Sequence, residues 1–87
     1  MQVAVWDTYV TKRNGTIMHF DIIAPEHVKD ERVIHTFGKD YLLSVDQQDQ
    51  PLTSKECNFC HVEKATTEMD LSIQQKGYHI IEMQNCK

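Results

Sequence analysis

The chain has 87 residues and a mass of 10.2 kDa, enough for one domain with a modest core. Hydrophobic residues make up 40% and charged residues 25%, a globular balance that excludes wholesale disorder. Nine Lys and Arg against 13 Asp and Glu give a net charge of −4, so there is no basic excess to displace counterions from a nucleic acid.

No apolar run is long enough to span a bilayer. The N-terminus, MQVAVWDTYV, lacks a basic segment, a long apolar stretch and a small-residue cleavage site. The expected compartment is cytoplasmic, with neither a membrane nor a nucleic acid as partner. One domain over 1–87 is expected, because no repeat or linker divides the chain.

Residues 2–10 and 16–24 are rich in Val, Ile, Tyr, Phe, Thr and Trp and are predicted as strands, with Asn14-Gly15 as the hairpin signal between them. Two registers compete. A two-residue turn puts Asp7 in the middle of an otherwise apolar face. A three-residue loop, Arg13-Asn14-Gly15 with Gly15 left-handed, pairs Lys12 with Thr16 and gathers Ala4, Trp6, Thr8, Val10, Met18, Phe20, Ile22 and Ala24 on one almost wholly apolar face. An uncompensated buried carboxylate is costly, so the second register is the physical choice.

A helix is predicted from Asp30 to Val45, because Val33, Ile34, Phe37, Tyr41 and Val45 share a stripe and Asp30 suits the N-cap. Gly38 costs about 1 kcal/mol there relative to Ala, which points to a close approach to the sheet or a break. A third strand is expected around 54–61, a second helix over 67–76 with a capping signal at Thr67-Glu68-Met69-Asp70 and a stop at Lys76-Gly77, and a last strand over 78–83. The fold class is therefore α+β in the order ββαβαβ. About four strands are expected in a mixed sheet, with two helices packed on one face.

The favoured register sets Asp7 opposite Asp21 and Tyr9 opposite His19. Two carboxylates across a ladder repel unless a cation, a shared proton or an imidazolium compensates, so Asp7, Tyr9, His19 and Asp21 form a candidate acid/base or metal constellation. Alternation on a solvated sheet face also produces such polar residues.

Cys57-Asn58-Phe59-Cys60-His61 has the C-x-x-C-H spacing of haem attachment, but the chain carries no export signal and its strand-rich pattern is not that of a small cytochrome. Zinc fits better: Cys57 and Cys60 have ligand spacing, and His61, His79 or Cys86 would complete a tetrahedron. In a regular strand Cys57 and Cys60 point to opposite faces, so chelation by both requires a turn. A redox dithiol would sit past mid-chain, away from the helix start where that chemistry is favoured. The remaining reading is three reduced cysteines that serve packing.

The segments VAVWDTYVTKRNGTIMHFDII at 3–23, FGKDYL at 37–42, ECNFCHVEKA at 56–65 and GYHIIEM at 77–83 together resemble the small bacterial proteins of the DUF2024 family. The resemblance covers nearly the whole chain and implies a single ββαβαβ domain. It implies no activity. The family's recurring positions correspond to Asp7, Thr8, Tyr9, His19, Asp21, Cys57, Cys60 and His61, and no role transfers to any of them.

The functional expectation is a non-enzymatic binding module for a protein or small ligand, since the chain is short and carries no complete catalytic motif. The alternatives are a zinc-binding domain built on Cys57, Cys60, His61 or Cys86, and a small acid/base enzyme centred on Asp7, His19 and Asp21. Open sheet edges permit a monomer or a homodimer.

Overall fold

The computed structural model describes residues 1–87. Strands β1 (Gln2–Thr11) and β2 (Ile17–Pro25) precede helix α1 (Glu31–Ser44), then β3 (Cys57–Lys64), helix α2 (Thr67–Lys76) and β4 (His79–Gln84). The strands form one sheet in the order β3-β1-β2-β4. This is the expected α+β fold in the ββαβαβ order.

The hairpin closes with the three-residue loop. Lys12 N donates to Thr16 O at 2.8 Å, and Gly15 takes the left-handed position at φ 88°, where an L side chain is strained. Asn14 Oδ1 accepts from Thr16 N and braces the turn. The register follows, with Asp7 opposite Asp21, Tyr9 opposite His19 and Val5 opposite Ile23.

Two details of the expected architecture are corrected. Every strand pair is antiparallel, so the sheet is not mixed. The helices also lie on opposite faces. α1 covers the face of Ala4, Trp6, Val10, Met18, Phe20 and Ile22 with Ile34, Tyr41 and Leu42. α2 covers the other with Met69 and Ile73, against Val3, Val5, Ile23 and Ile81. The cause is visible in β1 and β2: Val3, Val5 and Ile23 stand on the face that also carries Asp7 and Asp21, and such apolar area stabilises the fold only when covered. α2 is ten residues long and covers that apolar end alone.

α1 starts where the chain predicts, with Asp30 as N-cap accepting from Arg32 N. α2 is capped one residue earlier than expected, by Thr66, whose side chain accepts from Met69 N. The third strand begins at Cys57 rather than residue 54. Residues Thr53–Glu56 are held in a turn, in which Thr53 N and Oγ1 both donate to Glu56 Oε1 at 2.7 Å. No helix is long and apolar enough to cross a membrane.

Candidate functional site

Because α2 covers only the apolar end of its sheet face, the other end is left open, and the polar residues of the hairpin lie there. Asp7 and Asp21 are cross-strand partners, and His19 follows two residues before Asp21 on the same face. His19 Nε2 stands 3.3 Å from Asp7 Oδ1 and 3.7 Å from Asp21 Oδ1. One ligand atom from each of the three lies within 4.8 Å of the others. Tyr9, on the neighbouring ladder position, stacks its ring on the His19 imidazole, with centroids 4.1 Å apart and planes 11° apart. The stack fixes the ring plane and points Nε2 at the carboxylates.

The side chains of His19 and Asp21 retain only 18% and 15% of their exposure, while Asp7 retains 41%. The two carboxyls are therefore not equivalent. Burial first, and then the adjoining Asp7 carboxylate, push Asp21 up to about 6, against the pull of His19 and His61. Asp7 is held below the ordinary carboxylate range, chiefly by its hydrogen bond with Asp21 and also by His19, with burial opposing. As pH falls the pair takes up its first proton at about 6, and burial directs it to Asp21. Asp21 Oδ1 is buried and has no hydrogen-bond donor. A buried acceptor in that condition is costly, and it is an open coordination valence for a cation.

The third strand extends the site. Its pairing with β1 runs Asp7 to Asn58 and Trp6 to Phe59, then shifts so that Val5 meets His61. Cys60 is the extra residue of a β-bulge: alternation from Cys57 already turns it to the carboxylate face, and the bulge brings His61 to that face as well, opposite Val5. Partial desolvation, and then the nearby Asp7 and Asp21 carboxylates, hold the Cys60 thiol above its ordinary range. Its Sγ lies 3.2 Å from His61 Nδ1, and His61 Nε2 is 2.7 Å from Glu63 Oε1.

The candidate residues divide accordingly. Asp7, Tyr9, His19 and Asp21 come together as the hairpin register requires, and Cys60 and His61 stand on the same face of the neighbouring strand. Cys57, Cys60, His61 and Cys86 do not assemble into one site. Cys57 pairs with Thr8 and is fully buried in the α1-side core, Cys86 is buried in the same core, and Cys60 is exposed on the opposite face. Alternation along β3 separates the two thiols of the C-x-x-C pair, and no turn reunites them. Sequence reasoning kept Cys60 and His61 apart from the hairpin cluster, because the residues do not show that β3 lies beside β1, and the bulge that turns His61 has no residue signature.

The fold and site define a small antiparallel α+β domain with an imidazole between two carboxylates on a half-covered sheet face. The profile of the family described as "Domain of unknown function (DUF2024)" matches residues 1–83, and the chain belongs to that family. It is also similar to protein NE1680 from Nitrosomonas europaea, whose structure was solved by NMR. The two share 41% identity over 100% of each chain, with a TM-score of 0.83. No curated protein matches the chain.

Proposed function

We propose that the protein is a binding module whose ligand is a divalent metal ion held by Asp7, His19 and Asp21. The observation that carries this reading is the approach of the three donor atoms to within 4.8 Å, together with the Asp21 oxygen that lacks a donor. Two carboxylates in contact need a compensating positive charge or a shared proton. A divalent ion supplies the charge, displaces the proton and satisfies the buried oxygen. Imidazole with carboxylates is a donor set for first-row divalent ions. The three residues line none of the three surface clefts, so the site is an open face. That shape suits an ion better than an organic substrate, which binds by burial in a concave pocket.

Native mass spectrometry on untagged protein, equilibrated separately with zinc and manganese, tests the reading. One equivalent of ion retained by the wild type and lost in Asp21→Asn supports it. A bare-chain mass with both ions sinks it. A second reading, a small acid/base enzyme on the same residues, draws on the Asp21 carboxyl pushed up to about 6 beside His19. It predicts that the raised titration of the Asp21 carboxyl, followed by NMR, falls when Asp7 is replaced by Asn; an unchanged titration removes it.

A further inference from the structure

We infer that the cleft between β3 and the β2–α1 loop, on the sheet face opposite Asp7 and Asp21, binds a free amino acid with a single aromatic ring. α1 packs over β2 and leaves part of the β3 side of its own sheet face uncovered. Phe59 and Val62 stand there, paired with the core residues Trp6 and Ala4, yet they keep 54% and 40% of their exposure. Trp6 and Phe59 meet edge to face with centroids 5.6 Å apart, and Val28 of the loop adds a further apolar wall. The loop is pinned, since Glu26 N donates to Gln2 O and Val28 N donates to Pro25 O. The cleft holds about 230 Å³. A cavity of roughly 150 Å³ already accepts benzene, and drug-sized ligands take roughly 300 Å³ or more, so one ring with a short attached group is the size that fits.

Two further observations set the chemistry of that group. Trp6 is buried, and its Nε1–H has no acceptor, a costly state for an indole donor that a ligand oxygen on this wall would relieve. The charged side chains at the cleft are one anion and one cation, Glu26 and Lys29, and neither is in an ion pair with the other or with any other residue. Asp30, next to Lys29 in the chain, is engaged by Arg32 at 2.9 Å. A ligand with one charge would meet a like charge on one side of this mouth. A zwitterion meets two opposite charges, with its carboxylate toward Lys29 and its ammonium toward Glu26. Both charges on one carbon, with a ring one carbon away, describe an aromatic amino acid. Glu26 and Lys29 are exposed, so they select the ligand more than they hold it, and burial of the ring supplies most of the affinity.

Trp6 is the single tryptophan of the chain, so its indole N–H gives one side-chain cross-peak in a nitrogen-correlated NMR spectrum, and that peak reports the cleft directly. Phenylalanine is the probe, titrated to millimolar concentration into the full chain. Its partners are hydrocinnamate, which lacks the ammonium, phenethylamine, which lacks the carboxylate, and alanine, which lacks the ring. The expected result is a saturable shift of the Trp6 peak with phenylalanine, binding about fivefold weaker for the two singly charged analogues, and no shift with alanine. Phe59→Ala removes a half-exposed wall rather than a core residue, and should abolish the shift while the rest of the spectrum stays in place. Lys29→Gln should weaken phenylalanine about fivefold and leave phenethylamine no weaker. No saturable shift with phenylalanine, or one that survives in Phe59→Ala, overturns the site. Equal binding of phenylalanine and either singly charged analogue overturns the amino-acid assignment. A dimer that covers Phe59 with a second copy of the chain overturns both.

Discussion

Asp7 and Asp21 oppose each other across the β1–β2 ladder and bracket one imidazole, with His19 Nε2 at 3.3 Å from the first and 3.7 Å from the second. The same pair gives the metal-free protein a pH signature. Asp21 is pushed up to about 6, so the folded state holds this proton to higher pH than the unfolded chain, whose Asp titrates near 3.8. Its contribution to stability is full below the unfolded value and is lost as pH rises through about 6. His79 acts in the opposite sense. Burial lowers its pKa below 6.5, so its contribution is present above that value and is lost as pH falls. The measurement is thus a difference: thermal midpoints of wild type minus Asp21→Asn, followed across pH in a chelator. The difference should move against the wild type as pH rises through about 6. A pH-independent difference would contradict the proton-sharing pair.

Thiol chemistry separates the three cysteines. Cys60 is exposed, while Cys57 and Cys86 are buried. Partial desolvation and the neighbouring Asp7 and Asp21 hold the Cys60 thiol above its ordinary range, so the accessible thiol is a slow nucleophile near neutral pH. Mass spectrometry after mild alkylation of the native chain should find one label, on Cys60, with a rate that climbs steeply with pH. Denaturation should expose all three. Equal labelling of Cys57 under native conditions would contradict its place behind the sheet.

The hairpin shows how far the residues alone carry the structure. Asn14-Gly15, the alternation of β1 and β2 and the cost of burying Asp7 together select one register, and that register is the one observed, with its pairing of Asp7 and Asp21. α1 and α2 were legible for the same local reasons, a cap and a periodic stripe. What local reasoning missed is long-range. Whether α2 joins α1 or crosses to the other face depends on Val3, Val5 and Ile23 needing cover, which only the assembled sheet reveals. That Cys60 lies on the Asp7 face depends on β3 pairing with β1, and that His61 joins it depends on a bulge in that pairing. The two thiols that read as a zinc pair in one segment are divided between two faces, while Asp7, His19 and Asp21 meet across the hairpin.

Two tyrosine–carboxylate bonds tie α1 to the sheet edge. Tyr41 Oη donates to Glu82 Oε2 on β4 at 2.5 Å, and Tyr78 Oη, at the entrance to β4, donates to Asp40 on α1. Burial and the facing carboxylate push both phenols up, so both remain donors through neutral and mildly alkaline pH. β4 has one sheet neighbour, so these bonds supply much of its anchorage. Tyr41→Phe should cost about 1–2 kcal/mol, the lower part of the range for a hydrogen bond to a charged group, because Glu82 is partly solvated. Urea denaturation measures the loss. Amide exchange should show protection falling first in β4, and a loss spread evenly over the sheet would contradict this anchorage.

Gly38 reports how closely α1 lies on the sheet. A Cβ built there would stand 2.5 Å from Leu52 Cδ1 and 2.9 Å from Ile22 Cδ1. Both neighbours are buried core residues, so the helix accepts the propensity penalty of glycine, about 1 kcal/mol, in order to approach β2. Gly38→Val should therefore destabilise the protein by about 1–3 kcal/mol through overpacking, even though glycine itself is a poor helix former. The double variant Gly38→Val with Leu52→Ala separates crowding from other causes. Removing the Leu52 side chain vacates the space that the new methyl groups need, so the two losses should sum to less than their separate values in urea denaturation. Simple additivity would mean that Leu52 yields freely, and that the glycine is required by the helix backbone rather than by the sheet beneath it.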